Sequence, residues 1–520
     1  MSLMADKRRE LSTELLWPLV AIAGAFILLA THPVRPHDFW WHLRAGEEIL
    51  STRSIPTSDT FSHTMAGTPY DNYASFWLVE FTYSILYRLG RLPLIIMVHS
   101  LVVTAAQAAL LFLSRRVAGS WRAAASGTFL AMVLAFDNWN VRPQGVAYLF
   151  FALCLCAIWE YRQQPRWWLL AVPPVTIAIW ANCHGSFFLG FVLLGIWLAD
   201  SVWSTSWLVF RSRFQADVSA RSALTAARAP LMLLLISLAA ALLNPRGLRI
   251  FSYITSISGN SVIRSMVLEW RPPGFDSWGG ALFLAALLSL AILFAVSPRR
   301  PGVFALLTYV VFGIFALAAS RNVVWFGMAL APVVAEHLAA LADSIRNLQG
   351  SGADLQARGA GNSREKLRFV NWTIASILLL ASLMSLPWFK GALPLAAQKR
   401  GLISTETPVR ATQELLDRDL PREIFNEMGF GSYLIWAARD VPVYVDTRIE
   451  LYTENLWLEY LGISSAQPGW ENRLKARGVN TLLLNPETQS ALLASARASP
   501  DWRVVWEDAY SVLLTRKEQH

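Results

Sequence analysis

The chain has 520 residues, of which 54% are hydrophobic and only 16% charged, and its mean hydropathy is +0.39. That balance excludes a soluble globular protein and makes a bilayer the solvent. The formal net charge of +9 does not indicate nucleic acid as a partner, because the basic residues fall between apolar segments and not on one soluble face.

Lys7, Arg8 and Arg9 precede an apolar run from Leu15 to Ala30 with no small-residue cleavage signature, which reads as an uncleaved signal anchor. A hydrocarbon core of about 30 Å needs about 20 mainly apolar residues per helix, and the chain offers about eleven candidate spans. They centre near 15–31, 93–113, 123–137, 145–160, 167–182, 186–204, 229–244, 278–297, 303–320, 323–343 and 369–387. With the N-terminus inside, every cytoplasmic link is basic: Arg115, Arg116 and Arg122; Arg162 and Arg166; Arg211, Arg213, Arg221 and Arg228; Arg299 and Arg300; and Arg346 to Arg368. The only cysteines, Cys154, Cys156 and Cys183, lie in or beside apolar segments and predict neither a disulfide framework nor a zinc site.

The expected domains are a transmembrane part, 1–387, with a first outer loop at 32–92, and a tail, 388–520. In that loop, 39–50 patterns as an amphipathic interfacial helix with Trp40 and Trp41 at headgroup depth and Arg44, Glu47 and Glu48 toward water. The stretch 76–89 is apolar but short and carries Glu80 and Arg88, so it reads as a second interfacial helix. Residues 347–363, rich in Gly, Ala and Ser, read as a flexible cytoplasmic linker. The tail alternates β-rich runs (441–446, 480–485, 502–508, 510–516) with helical patterns such as Trp470–Arg477. It predicts a small α/β domain, placed outside by an odd number of spans. Gly429 and Gly431 read as a turn linking strand to helix, and the glycine fingerprint of a dinucleotide site is incomplete.

Polar residues gather at the outer ends of the spans. Asp38 stands at the mouth of the first span, where a carboxylate can serve as a general base or as the N-cap of the helix that follows. His37, His42, Asp59 and Asp71 share its loop. Arg142, His184, Asn244 with Arg246, Glu269 with Arg271, and Arg321 mark other outer helix ends. Each arginine alone can be a residue snorkelling to headgroup phosphates, but charges near a bilayer core are costly and mark sites when several converge. His184 fits a phosphate ligand or a helix cap equally. Arginines beside an acid suit transfer from a polyprenyl phosphate or pyrophosphate donor, the guanidinium groups clamping phosphate and the carboxylate deprotonating an acceptor hydroxyl. Asp446 and Arg448 stand at a predicted strand end, where they contact acceptor or pair with each other.

The acid after span one, the interfacial helix and GTPYDNYASFWLVEFTYSILYRLG together resemble the GT-C membrane glycosyltransferases, most closely the protein mannosyltransferase and aminoarabinose transferase branch. HDFWWHLRAG, VRPQ, WANCHGSFFLG, LNPRG, LEWRPP and FNEMGFGSYLIW also resemble a broad group of bacterial multi-pass proteins of uncertain activity. The resemblance implies an α-helical polytopic membrane protein of the bacterial inner membrane with a C-terminal extracytoplasmic α/β domain. It implies a transferase that takes a sugar from a polyprenyl-linked donor to a lipid, polysaccharide or protein acceptor, with Asp38 as catalytic base. No cofactor is firmly implied, and a divalent cation is compatible with the chemistry. The chain departs from that branch in reading His37-Asp38-Phe39 where the branch has an Asp-Glu pair, and Asp71-Asn72-Tyr73 where it has tandem prolines. A transporter or flippase of lipid-linked glycans would instead place ionisable groups at mid-bilayer within broken helices and internal symmetry. A non-catalytic membrane scaffold would give the outer charges no task.

Overall fold

The computed structural model describes residues 13–211, 216–251, 268–348 and 361–517. Every predicted span falls on a helix. Among the described residues seven helices are long and apolar enough to cross a membrane: Thr13–Thr31, Trp77–Ala118, Gln144–Gln163, Gly185–Ser206, Trp278–Val296, Ser320–Leu348 and Leu367–Met384. Three more apolar helices are shorter, Trp167–Trp180, Thr225–Ala241 and Val303–Ala318, and Trp121–Leu134 has 14 residues. At 1.5 Å per residue those 14 residues rise roughly 21 Å, less than a hydrocarbon core. The protein is an integral membrane protein with a polytopic helical fold.

The helix Val323–Leu348 runs through the middle of the bundle, buried over most of its length, whereas Leu367–Met384 lies almost wholly exposed on its outside. Small residues bring the central pair of helices together: a Cβ on Gly127 would meet the Ala331 carbonyl oxygen at 2.3 Å. Leu235, Leu288, Ile292, Ile314 and Leu379 turn outward and give the bundle an apolar surface suited to lipid.

The stretch read as a second interfacial helix is continuous with the span after it, in Trp77–Ala118, but the helix breaks at Gly90 (φ −154°) and Arg91 (φ 56°) just before Pro93. The other interfacial helix, Phe39–Thr52, matches its prediction in extent. Its tryptophans, expected to face the interface, are buried in protein. Trp40 packs on Tyr433 and Trp436 of the tail, and Trp41 on Tyr73 and Phe76, because the tail covers this face of the helix. Of the predicted linker, residues 349–360 lie outside the described residues.

The tail holds one four-stranded sheet of β1 (Ile424–Asn426), β2 (Thr481–Leu484), β3 (Trp502–Glu507) and β4 (Val512–Arg516), in the order β1-β2-β4-β3. β1 and β2 are parallel, Phe425 opposite Leu482, so a crossover must join them; helices Met428–Ala437, Glu454–Ser464 and Trp470–Ala476 supply it. β4 pairs antiparallel with both neighbours, with a bulge between Val504 and Trp506.

Two readings of the tail change. The run 441–446 is no strand of this sheet: Val443 makes a single parallel bridge with Ser62 of the first loop, exchanging bonds of 3.0 Å with Phe61 and His63. Gly429 and Gly431 form no turn but sit inside the helix Met428–Ala437. There they allow close approach, since a Cβ on Gly431 would stand 2.2 Å from the Val445 oxygen and one on Gly429 2.9 Å from that of Pro36.

The first loop and the tail share one apolar core. Trp41, Phe61, Tyr70, Tyr73 and Phe76 enter the cluster built around Phe425, Tyr444, Trp457 and Leu482. Val34 bridges to Ile403, Arg439 pairs with Glu47, and Glu450 accepts hydrogen bonds from Tyr70 and Asn72.

Candidate active site

The geometry gathers six of the predicted residues, with Glu269 at the centre. The turn Leu268–Trp270 presents the Glu269 carboxylate to two guanidinium groups, Arg142 at 3.2 Å and Arg321 at 3.3 Å. Arg142 enters from the loop ahead of helix Gln144–Gln163, where Asn138 also accepts from it at 3.3 Å. Arg321 lies in the short turn Ser320–Asn322, its guanidinium 4.5 Å from the Trp270 ring centre. Ser320 ties that turn to the LEWRPP segment by donating to the Arg271 carbonyl from both its amide and its hydroxyl.

Burial would raise the Glu269 pKa, but Arg142 and Arg321 outweigh it and hold the carboxyl at about 2, below its ordinary 4.5. Because the folded value is depressed, this acid stabilises the fold fully above pH 4.5, and its contribution falls away toward about 2. Glu269→Gln should therefore flatten the acid limb of a pH series of thermal melts between pH 5 and 3. A variant that follows the wild-type limb would show that the triad does not couple to folding.

Asp38 occupies the N-cap position of Phe39–Thr52, with helical φ and ψ of −51° and −31°, yet its side chain makes no capping bond. Among the described residues the half-buried carboxylate has no hydrogen-bond or ion-pair partner. Its charge acts on His37 and on Arg142. His37 is exposed beside it, and its backbone carbonyl accepts from the Ser432 hydroxyl at 2.6 Å, so the tail holds the peptide next to the acid. Arg142 directs both Nη groups to Glu269, while its buried Nε–H has no acceptor among the described residues.

His184 completes the group through its cap role. Its Nδ1 accepts from the Ser186 amide at 3.1 Å and from the Ser186 hydroxyl at 2.7 Å, which leaves the ring proton on Nε2. Burial, then the charges of Arg321 and Arg142, push its pKa down to about 3, so it is a neutral donor at physiological pH.

The other predicted residues lie elsewhere. His42 is fully buried under Trp41 and Phe76 and pairs with Glu80 at 2.8 Å; burial first, then His184 and Arg448, hold its pKa well down. Asp59 is fully buried: it caps the turn to Phe61 and Ser62 and accepts from Arg448 at 2.6 Å. Arg448 also pairs with Asp446 and donates to Tyr73. Asp71 meets Arg249 at 3.0 Å on the surface. Arg246 bonds Asn72 at 2.9 Å and its amide bonds Asn244, whose side chain also donates to the Ala74 and Ala181 carbonyls. That network pins the LNPRG and WANCHGS turns to the first loop. Arg271 has an exposed side chain.

Sequence reasoning missed Trp270 beneath Arg321, Glu80 as the partner of His42, and Asn138 beside Arg142. Trp270 stood in the LEWRPP motif itself, so its neighbour Glu269 was the signal for it. Among the described residues no group of three or more His, Cys, Asp and Glu side chains is placed to hold a metal ion.

No family model matches the chain, and no curated protein matches it. Solved structures do. ArnT from Cupriavidus metallidurans in the apo state aligns over 96% of this chain and 97% of its own, at 14% identity and a TM-score of 0.50. The same protein bound to undecaprenyl phosphate aligns over the same shares at 13% identity and a TM-score of 0.48. The shared property is architecture: the chain has the polytopic membrane fold of ArnT.

Proposed function

We propose that the protein is a membrane glycosyltransferase that takes a sugar from a polyprenyl phosphate or pyrophosphate donor at the outer face of the membrane. The observation that carries this reading is Asp38: an acid at a helix N-terminus whose carboxylate is spent on no cap and whose charge acts on Arg142, one of two arginines fixed by one glutamate. In the proposed reaction the donor phosphate meets the Arg142 Nε–H, the Arg321 guanidinium and the His184 Nε2–H. Asp38 removes the proton of an acceptor hydroxyl as that oxygen attacks the anomeric carbon, and the donor phosphate leaves with the bonding electrons. Glu269 orients the guanidinium planes before the substrate arrives. The acceptor is a lipid, polysaccharide or protein hydroxyl.

The donor half of this reading is tested by binding. Arg142→Ala and Arg321→Ala should each weaken affinity for a polyprenyl phosphate by about tenfold or more, since charge-assisted bonds contribute about 1.5–3 kcal/mol. Arg142→Lys should rescue poorly, because a lysine cannot reproduce the fork. Full donor affinity in both alanine variants would place the site elsewhere.

The orientation rests on the basic loops and the odd span count. A single cysteine at the exposed Arg503 should react with an impermeant thiol reagent in sealed cells, and one at the exposed Arg346 should not. The reverse labelling pattern would invert the topology and move the site to the cytoplasm.

A further inference from the structure

Lys390 follows the last span, in the short turn Lys390–Ala392, and is only 1% exposed. Its Nζ has no hydrogen-bond partner among the described residues. A buried ammonium without a partner is strongly unfavourable, so such a group calls for a counter-charge.

The protein around it supplies more cations. The Val34–Ile403 bridge, with Val34 N donating to Leu402 and Ser404 N to Val34, lays the segment after Lys390 along residues 32–35. The charges of Arg35, Lys399 and Lys390 all act on the His32 ring, and among the described residues no carboxylate is a principal influence on it. On Lys390 itself burial is the one influence, and it brings the ammonium pKa down to about 8. His32 is kept neutral, its pKa lowered to about 4 by burial and then by Arg35, and it bonds Asn140 at 3.1 Å. Arg35 and Lys399 are exposed at the rim.

The surroundings are those of a membrane boundary. Trp388 and Phe389, immediately before Lys390, are each about half exposed, as aromatic side chains at a lipid–water interface are. The helix that leads to them, Leu367–Met384, turns nearly all of its surface outward and packs beside Thr13–Thr31. Both helices end where the site lies: Thr13–Thr31 leads into residues 32–35 and Leu367–Met384 into the turn that carries Lys390.

We propose that Lys390, with Arg35 and Lys399 at the rim, forms a binding site for a phosphate group carried by a lipid of the surrounding leaflet, separate from the Arg142–Glu269–Arg321 cluster. The inference does not depend on the transferase reading. An anion here satisfies the buried ammonium and anchors the last span to the first, and the His32–Asn140 hydrogen bond joins this end of the bundle to the loop that carries Arg142.

The test uses the full-length protein, delipidated in a neutral detergent, with phosphatidylglycerol, phosphatidylcholine and inorganic phosphate as separate probes. Phosphatidylglycerol should raise the melting temperature and stay bound in native mass spectrometry, and phosphatidylcholine should do so far less. Lys390→Met should weaken phosphatidylglycerol binding by about tenfold or more, the effect of one lost charge-assisted bond, while melting no lower than wild type without lipid. Inorganic phosphate acting as strongly as the lipid would keep the phosphate chemistry and remove the lipid as its source. Equal phosphatidylglycerol binding by Lys390→Met and wild type, or no response to either anion, would overturn the proposal. Should Lys390→Met fail to fold, the exposed double variant Arg35→Gln, Lys399→Gln gives the same readout, with unchanged binding overturning it. Arg142→Ala should leave this binding intact, which separates its failure from that of the donor site.

Discussion

Asp38→Asn should lower sugar transfer by about 10²–10⁴-fold, the usual contribution of general-base assistance, with expression and donor binding retained. Asparagine keeps the size of the side chain and caps helices as well as aspartate does. The native carboxylate makes no capping bond in any case, so the exchange removes basicity alone. Single-turnover kinetics with a polyprenyl-linked donor would measure it. Near-normal turnover would pass the role to another acid, and Glu269 is poorly suited to it, since Arg142 and Arg321 hold its carboxyl as a weak base at about 2. Loss of folded protein would show that the charge serves structure.

Arg448→Met should unfold the tail and the first loop together. The guanidinium is fully buried between Asp59 and Asp446 at 2.6 Å each, and the Phe61 ring centre lies 5.1 Å away. Removing it leaves two uncompensated buried carboxylates, and breaking such a pair costs about 3–5 kcal/mol. Limited proteolysis should then cut between 388 and 517 at temperatures where wild type resists. Converting both acids as well, with Asp59→Asn and Asp446→Asn, should recover much of the loss. Unchanged resistance in the single variant would mean that water reaches the site and solvates the acids.

The part of the candidate site that could be read from sequence was the part set by solvent. Arg142, Glu269 and Arg321 stood out because ionisable groups beside a bilayer core are costly, whatever their partners. The spans were legible for the same reason. What could not be read was pairing across long separations. Asp38 and Asp59 looked alike as outer-loop acids; nothing local showed that Asp59 meets an arginine 389 positions away while Asp38 meets none. Arg246 looked like Arg142, yet it bonds Asn72 in a network that fixes turns. Trp40 and Trp41 had the pattern of an interfacial belt, and the apolar surface that receives Trp40 belongs to Tyr433 and Trp436, far along the chain. The run 441–446 had a strand's composition, but its partner is the first loop and not the sheet.

The shared core of loop and tail also sets a schedule for biosynthesis. Thr64 donates to the Tyr444 carbonyl, and Tyr70 bonds Glu450, each across 380 residues. At about 5–20 residues per second, those partners follow the loop by roughly 20–80 s. Through that interval Phe61, Tyr70, Tyr73 and Phe76 await the surfaces that bury them. The loop is thus a nascent-chain client that needs shielding by lipid or a chaperone. Ribosome stalling before residue 424 should leave it open to protease, and release of the full chain should close it within the time of one folding step.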